Sequence, residues 1–277
     1  MKLSRPKIAG APISWGVCEV PGWGYQLSPE RVLREMHEVG LTATEYGPDG
    51  FLPADPEPIL NRYELTALGG FVPVVLHDEP EFPDFDGDVL VLAAATGHDG
   101  YDERPALDAA GWRRLLKTLD RFHDQAAEKG IRAVLHPHVG TMIETGPEIE
   151  RVLEGSRIPL CLDTGHVLVG GTDPATLAVH AADRIAHVHA KDVDHGLAKR
   201  VQAGELSYTD AVRANMYRPI GHGDVDFAAV ADALGRAGYD GWWVLEQDTI
   251  LTGEPAGEGP LADVRRSVDA LRRLQNR

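Results

Sequence analysis

Two hydrophobic rhythms alternate along the chain. Short apolar runs, each closing on polar or charged residues, are separated by longer stretches in which apolar positions recur at helical spacing. Eight such runs stand out: Lys7 to Trp15, Ala43 to Gly47, Phe71 to His77, Asp88 to Ala95, Arg132 to His138, Pro159 to His166, Ile185 to Asp192 and Gly241 to Asp248. Stretches such as Val89-Leu90-Val91-Leu92 carry no polar alternation, which is how a parallel strand covered on both faces reads. Helical patterns lie between them, among others Pro29 to Val39, Trp112 to Lys129, Ala175 to Ala182 and Phe227 to Ala237, with Leu261 to Leu274 closing the chain. Ser28-Pro29 and Asp173-Pro174 are caps followed by a proline whose missing amide costs nothing there. Gly40, Gly130 and Gly238 mark helix ends.

This alternation predicts an α/β fold, a (β/α)8 TIM barrel, spanning residues 1–277 as a single domain. One unit departs from it. Only Asp78 to Gly87, rich in Pro, Asp and Glu, joins the third run to the fourth, whereas a parallel crossover takes about a dozen residues or more. The third crossover helix is therefore expected to be short or absent.

Charge narrows the partners. With 27 Lys+Arg against 43 Asp+Glu the net charge is −16, which repels nucleic-acid phosphates and anionic lipid, so no nucleic-acid and no membrane partner is expected. Cys18 and Cys161 are too few for a disulfide framework, and they read as free thiols of a reducing compartment. Met1 to Pro6 lacks an apolar leader, and no run of about 18 apolar residues occurs downstream. A cytoplasmic location is the expectation, and nothing in the sequence excludes a homo-oligomer.

In a barrel the chemistry sits at the C-terminal strand ends, so the residues closing each run are the informative ones. Ser14-Trp15, Glu45, His77, His136-Pro137-His138, Asp163-Thr164-Gly165-His166, His187 through Asp192 and Glu246-Gln247-Asp248 hold these places. Imidazoles and carboxylates converging from consecutive strands are the donors of a first-row divalent metal. Because residues two apart share a strand face, His187 and His189 both point to the axis, with His189 nearer the mouth and the expected ligand. His187, one layer deeper, reads as a hydrogen-bonded core histidine. Of His136 and His138, at most one is expected on the metal, the other facing substrate.

At these residues the sequence resembles the xylose isomerase-like barrel superfamily of sugar isomerases and epimerases, and within it the inosose dehydratase group. The likeness runs through Ala11-Pro12-Ile13-Ser14-Trp15-Gly16, Thr44-Glu45, His136 through Thr141, Leu162 through His166, His187 through Asp192, Gly221 through Phe227 and Gly241 through Asp248. The resemblance implies one divalent ion, Mn²⁺ or Co²⁺ foremost, with Mg²⁺ or Zn²⁺ as further options, on Asp163, His189, Glu246 and a strand-five position. That position, a glutamate in the epimerases, is His136 here. Loss of the second carboxylate leans the implied chemistry from epimerisation toward elimination.

The expected activity is thus a metal-dependent lyase that dehydrates an inosose-like polyhydroxy ketone, with a sugar isomerase or epimerase on the same site as the alternative. A DNA-repair nuclease, with His77, His138 and His166 as added ligands, is opposed by the charge, and a non-catalytic metal-binding barrel is the remaining reading. Glu246 is the expected base and ligand, with His138 or His166 protonating the departing hydroxyl. Glu144 is a candidate substitute for the missing carboxylate. Lys191, Glu45 and Arg218 are expected to bind substrate oxygens, Trp15, Trp23 and Trp243 to offer an apolar wall, with one of Trp242 and Trp243 facing the helices because they lie on opposite strand faces, and Glu19 to Tyr25 to cover the pocket.

Overall fold

The structure, a computed structural model, describes residues 7–98 and 100–274; Met1 to Pro6, where no leader is expected, lie outside the described residues. Nine parallel strands form one sheet: β1 (Lys7–Gly10), β2 (Ala43–Thr44), β3 (Thr66–Ala67), β4 (Gly69–Val74), β5 (Val89–Ala94), β6 (Arg132–Leu135), β7 (Leu160–Asp163), β8 (Ile185–Ala190) and, after the short antiparallel pair β9 (Asp192–Val193) and β10 (Tyr217–Arg218), β11 (Trp242–Leu245). Their order is β3-β2-β1-β11-β8-β7-β6-β5-β4.

The two ends of that order are one piece of chain, since only Leu68 separates β3 from β4. Its N–H donates to Thr44 O (2.9 Å) and its carbonyl accepts from Val89 N (2.8 Å), which joins the ends into a closed ring. Counting β3 and β4 as one strand gives the eight-stranded barrel that the alternation predicts. The break falls where it must. Gly69 has φ +132, and a Cβ there would meet Val89 O at 2.0 Å. The glycines at 69 and 70 also hide this strand's beginning, because they carry no side-chain pattern, and the observed strand starts ahead of Phe71.

Strand faces sort as a covered sheet requires. In β5, Val89 and Val91 join Val134 and Cys161 inside the barrel, while Leu90, Leu92 and Ala94 pack toward the helices. Helix Ala109–Glu128 repeats Leu115, Leu119, Phe122 and Ala126 on the face it buries, each large side chain contributing about 1.5–3 kcal/mol. As expected, no helix follows β4: a 3₁₀ turn, Leu76–Asp78, leads into an irregular strap. Phe82 packs edge-on against Phe122 with ring centroids 5.2 Å apart, and Arg114 Nε donates to His77 O (2.8 Å). The strap thus covers apolar surface that a crossover helix would otherwise cover.

Three short helices, Thr164–Val169, His195–Gln202 and Tyr208–Arg213, follow β7 and β8 and build with β9 and β10 a small second core around Val169, Val193, Ala198 and Val212. Tyr208 and Tyr217 belong to it and turn their hydroxyls toward the end of β11. Among the described residues no helix is long and apolar enough to cross a membrane.

Candidate active site

Alternation along β8 turns His187 and His189 into the barrel while Val188 and Ala190 pack outward. Around His189 the strand ends bring together His136, Asp163 and Glu246, and one donor atom from each of the four lies within 4.8 Å of the others. His136 Nε2 is 3.2 Å from Asp163 Oδ2, and His189 Nδ1 is 3.3 Å from Glu246 Oε2 and 3.8 Å from Asp163 Oδ2. Asp163 is fixed from behind. Its Oδ1 caps the next helix, accepting from Gly165 N (2.8 Å) and His166 N (2.7 Å), and Oδ2 is left for the cluster.

Two features of this cluster fit a divalent ion. His189 Nδ1, the nitrogen turned toward Glu246 and Asp163, is buried with no hydrogen-bond partner, which a folded protein rarely tolerates without a further ligand. The carboxylates of Asp163, Glu246 and Asp248 also converge on Lys191 Nζ, at 3.4, 3.0 and 2.7 Å, so the surround is rich in oxygen donors that suit a cation. Cys161 also lies near His136 and His189, but burial pushes its thiol up to about 11. It stays protonated, and the nitrogen and oxygen donors make the better set.

Lys191 is itself buried, and Gly165 makes room for it: a Cβ there would meet Lys191 Cγ at 2.6 Å. Burial alone would lower the lysine's pKa, but Asp163, Asp248 and Glu246 override it and hold the amine charged well above its ordinary range. For Glu246 burial acts upward, and His189 and Lys191 outweigh it to keep the carboxylate ionised well below the usual range. His138 and His166 stack with centroids 3.6 Å apart; burial, mutual repulsion among the imidazoles and Lys191 push both well below the ordinary histidine value. His138 Nδ1 donates to Val139 O (2.7 Å), so its Nε2 is bare.

A cavity of about 680 Å³ opens onto these groups. Glu246, Lys191, His136, His138 and Asp248 line its polar part, and Trp23, Phe51, Phe71 and Tyr101 its aromatic part. Loops from two units meet at it through Tyr101 OH, which donates to Glu19 Oε1 (2.6 Å). Glu19 and Trp23, from the segment expected to cover the pocket, are among its lining residues.

Several sequence expectations are corrected here. Trp15 is no cavity wall: the chain leaves β1 at Gly10 for a 3₁₀ turn, Pro12–Trp15, which swings the indole into the helix-facing core, where Nε1 donates to Glu35 Oε2 (2.8 Å). Trp243 likewise packs on the helix side, and of the three tryptophans only Trp23 lines the cavity. Arg218 stands away from the cavity on β10, paired with Asp194 Oδ2 (3.1 Å). Glu144 is turned back onto its own loop, accepting from Gly140 N (2.8 Å) and pairing with Arg104 Nε (3.2 Å). Glu45 does reach the cavity, but its Oε1 is held by His187 and His189. Sequence reasoning assigned no role to Asp248, Tyr208, Tyr217 or Tyr101. Asp248 was within reach, two residues past Glu246 in the last apolar run; Tyr101 in a loop, Tyr208 on a short helix and Tyr217 on β10 lie outside the barrel strands and carry no local signal.

Fold and site define a closed (β/α)8 barrel with a histidine and carboxylate donor cluster at the C-terminal strand ends. The model of the xylose isomerase-like TIM barrel family matches residues 84–274, and the chain belongs to that family. It is 32% identical over 296 residues to the rhizopine catabolism protein MocC of Rhizobium meliloti, covering 98% of this chain and 89% of that protein. It is 31% identical over 296 residues to the inosose dehydratase of Geobacillus kaustophilus (strain HTA426), covering 97% and 94% of the two chains. Among solved structures, a probable 3-DHS dehydratase from Bacillus anthracis superposes with a TM-score of 0.65 at 14% identity over 96% of this chain and 98% of that one, a likeness of fold.

Proposed function

We propose that the protein is a metal-dependent carbon-oxygen lyase that removes water from an inosose-like polyhydroxy ketone. The convergence of His136, Asp163, His189 and Glu246 at the cavity carries this reading, and the near full-length similarity to an inosose dehydratase supports its substrate class. These four residues would hold the ion, Mn²⁺ or Co²⁺ by preference, with Mg²⁺ or Zn²⁺ also suited to mixed nitrogen and oxygen donors. When bound, a divalent ion polarises a ketone and makes the neighbouring C–H more acidic.

The residues divide the remaining work by their protonation. Glu246, ionised and lining the cavity, takes the proton from the carbon beside the ketone. His138 and His166 are neutral, so the proton inventory moves the acid from these imidazoles to Lys191, whose ammonium also lines the cavity and protonates the departing hydroxyl. Lys191 Nζ and Glu246 Oε2 are 3.0 Å apart, so the proton taken from carbon passes back to the amine and water is the only by-product. His166 Nε2, 3.0 Å from Lys191 Nζ, holds the amine in place from the other side.

A sugar isomerase or epimerase on the same metal site is the second reading. Inversion at carbon calls for proton groups on both faces, and Glu144, the candidate for the second carboxylate, is tied to Gly140 and Arg104 and does not line the cavity. The test is optical: addition of an inosose to Mn²⁺-loaded protein is expected to raise ultraviolet absorbance from a conjugated ketone. A flat trace with every inosose would contradict the lyase reading.

A further inference from the structure

Glu45 comes from the end of β2 and crosses the barrel interior to β8. Its Oε1 lies 3.0 Å from His187 Nε2 and 2.9 Å from His189 Nε2, and all three side chains are buried. This one oxygen stands between two imidazole nitrogens, the arrangement of a carboxylate that accepts from both. An ionised carboxylate only accepts hydrogen bonds, so both Nε2 atoms carry hydrogen and donate to the same oxygen. The consequence for His189 falls on the other side of its ring. Nδ1 is the nitrogen turned toward Glu246 Oε2 and Asp163 Oδ2, and it has no hydrogen-bond partner.

We propose that Glu45 is a positioning residue that, with His187 as its second tether, fixes the ring of His189 so that Nδ1 is the nitrogen presented to the metal ion. The inference rests on the proposed metal centre. A carboxylate behind a ligating imidazole holds the ring's orientation and makes the opposite nitrogen a better donor, and losing such a partner weakens metal affinity about 10–100-fold. Glu45, His187 and His189 also cluster tightly enough to suggest an ion of their own. Hydrogen on both Nε2 atoms leaves no lone pair there for one. His187, read from the sequence as a core histidine, is on this account the group that keeps Glu45 from swinging into the cavity.

The test combines nitrogen NMR of the imidazoles, with a His189→Asn spectrum for assignment, and Co²⁺ binding by competition with a chelator. In the wild-type protein His189 Nε2 is expected to carry hydrogen, and Nδ1 to shift when Zn²⁺ is added. Glu45→Leu should lose the protected Nε2 hydrogen and bind Co²⁺ about 10–100-fold more weakly, and Glu45→Gln, which keeps an acceptor oxygen, should recover most of that affinity. A wild-type His189 with bare Nε2 overturns the proposal, as does a Glu45→Leu affinity within about twofold of wild type or a second bound equivalent of Co²⁺ lost with Glu45. The wild-type spectrum decides if Glu45→Leu does not fold. Absence of Co²⁺ binding by the wild-type protein contradicts the metal centre itself, and the hydrogen on Nε2 then judges Glu45 alone.

Discussion

Lys191 Nζ stands 3.0 Å from Glu246 Oε2, a buried ammonium in contact with the carboxylate that faces the cavity beside it. One of the pair has a proton to give and the other a place to put one. Replacing Lys191 with Met should separate the two halves of the reaction. Turnover to the dehydrated product is expected to fall about 10²–10⁴-fold, the usual contribution of a positioned acid. Solvent-deuterium exchange at the carbon beside the ketone should persist, because Glu246 remains. Loss of exchange and dehydration in equal measure would show that Lys191 does not act on the leaving oxygen.

Asp163 caps a helix through Oδ1 and turns Oδ2 to the donor cluster, and substitutions can part the two. Asp163→Asn keeps an oxygen to cap Thr164–Val169 and should fold like the wild type while losing stoichiometric metal on elemental analysis. Asp163→Ala should lose the metal and also about 0.5–2 kcal/mol of stability with the cap, read from urea unfolding. Retention of metal by either variant would remove Asp163 from the donor set.

His136 stands where the resemblance to the epimerases implies a glutamate. Restoring a carboxylate with His136→Glu is expected to raise deuterium exchange relative to water loss on the same ketone, with metal still bound. If neither the ratio nor the metal content changes, His136 is not at the ion.

Acid stability has a separate origin at Glu148. Its Oε2 accepts from Glu144 N (2.9 Å) and Thr145 N (2.8 Å), and its Oε1 from Arg104 Nη1 (2.7 Å). Burial raises its pKa, but the Thr145 amide and Arg104 outweigh that and lower it from 4.5. A carboxyl whose folded pKa is depressed contributes stability above its unfolded value and loses it as pH falls through the lower folded value. Glu148→Ala should therefore cost about 1 kcal/mol at neutral pH, and its difference from wild type should shrink as pH drops below 4.5. Urea unfolding across pH 3–7 measures this; a pH-independent difference would contradict it.

Most of the barrel was legible because covered parallel strands and amphipathic helices leave strong periodic signals, and the missing third helix because ten residues rich in Pro, Asp and Glu cannot form a full crossover. Strand ends were less legible. The runs through Trp15, His138 and His166 continue in sequence past the point where the ladder stops, and there a 3₁₀ turn, a loop or a helix redirects the side chains. Trp15 was misplaced for that reason. The donor cluster was readable from two-residue spacing and from resemblance, whereas the contact between Glu45 and His189 joins opposite parts of the barrel, and no local pattern announces it. Tyr208 reaches Asp248, with the Tyr217 hydroxyl bonded to its own, from a small second core whose position depends on tertiary packing.

Loss of water from a polyhydroxy ketone shows in the mass of the product. Protein loaded with Mn²⁺ or Co²⁺ is incubated with a panel of inososes and ketohexoses, and the products are weighed by mass spectrometry. At least one inosose product is expected to be lighter than its substrate by one water, absent after treatment with a chelator and restored by the metal. A converted product of unchanged mass would assign the site to isomerisation or epimerisation and contradict the lyase.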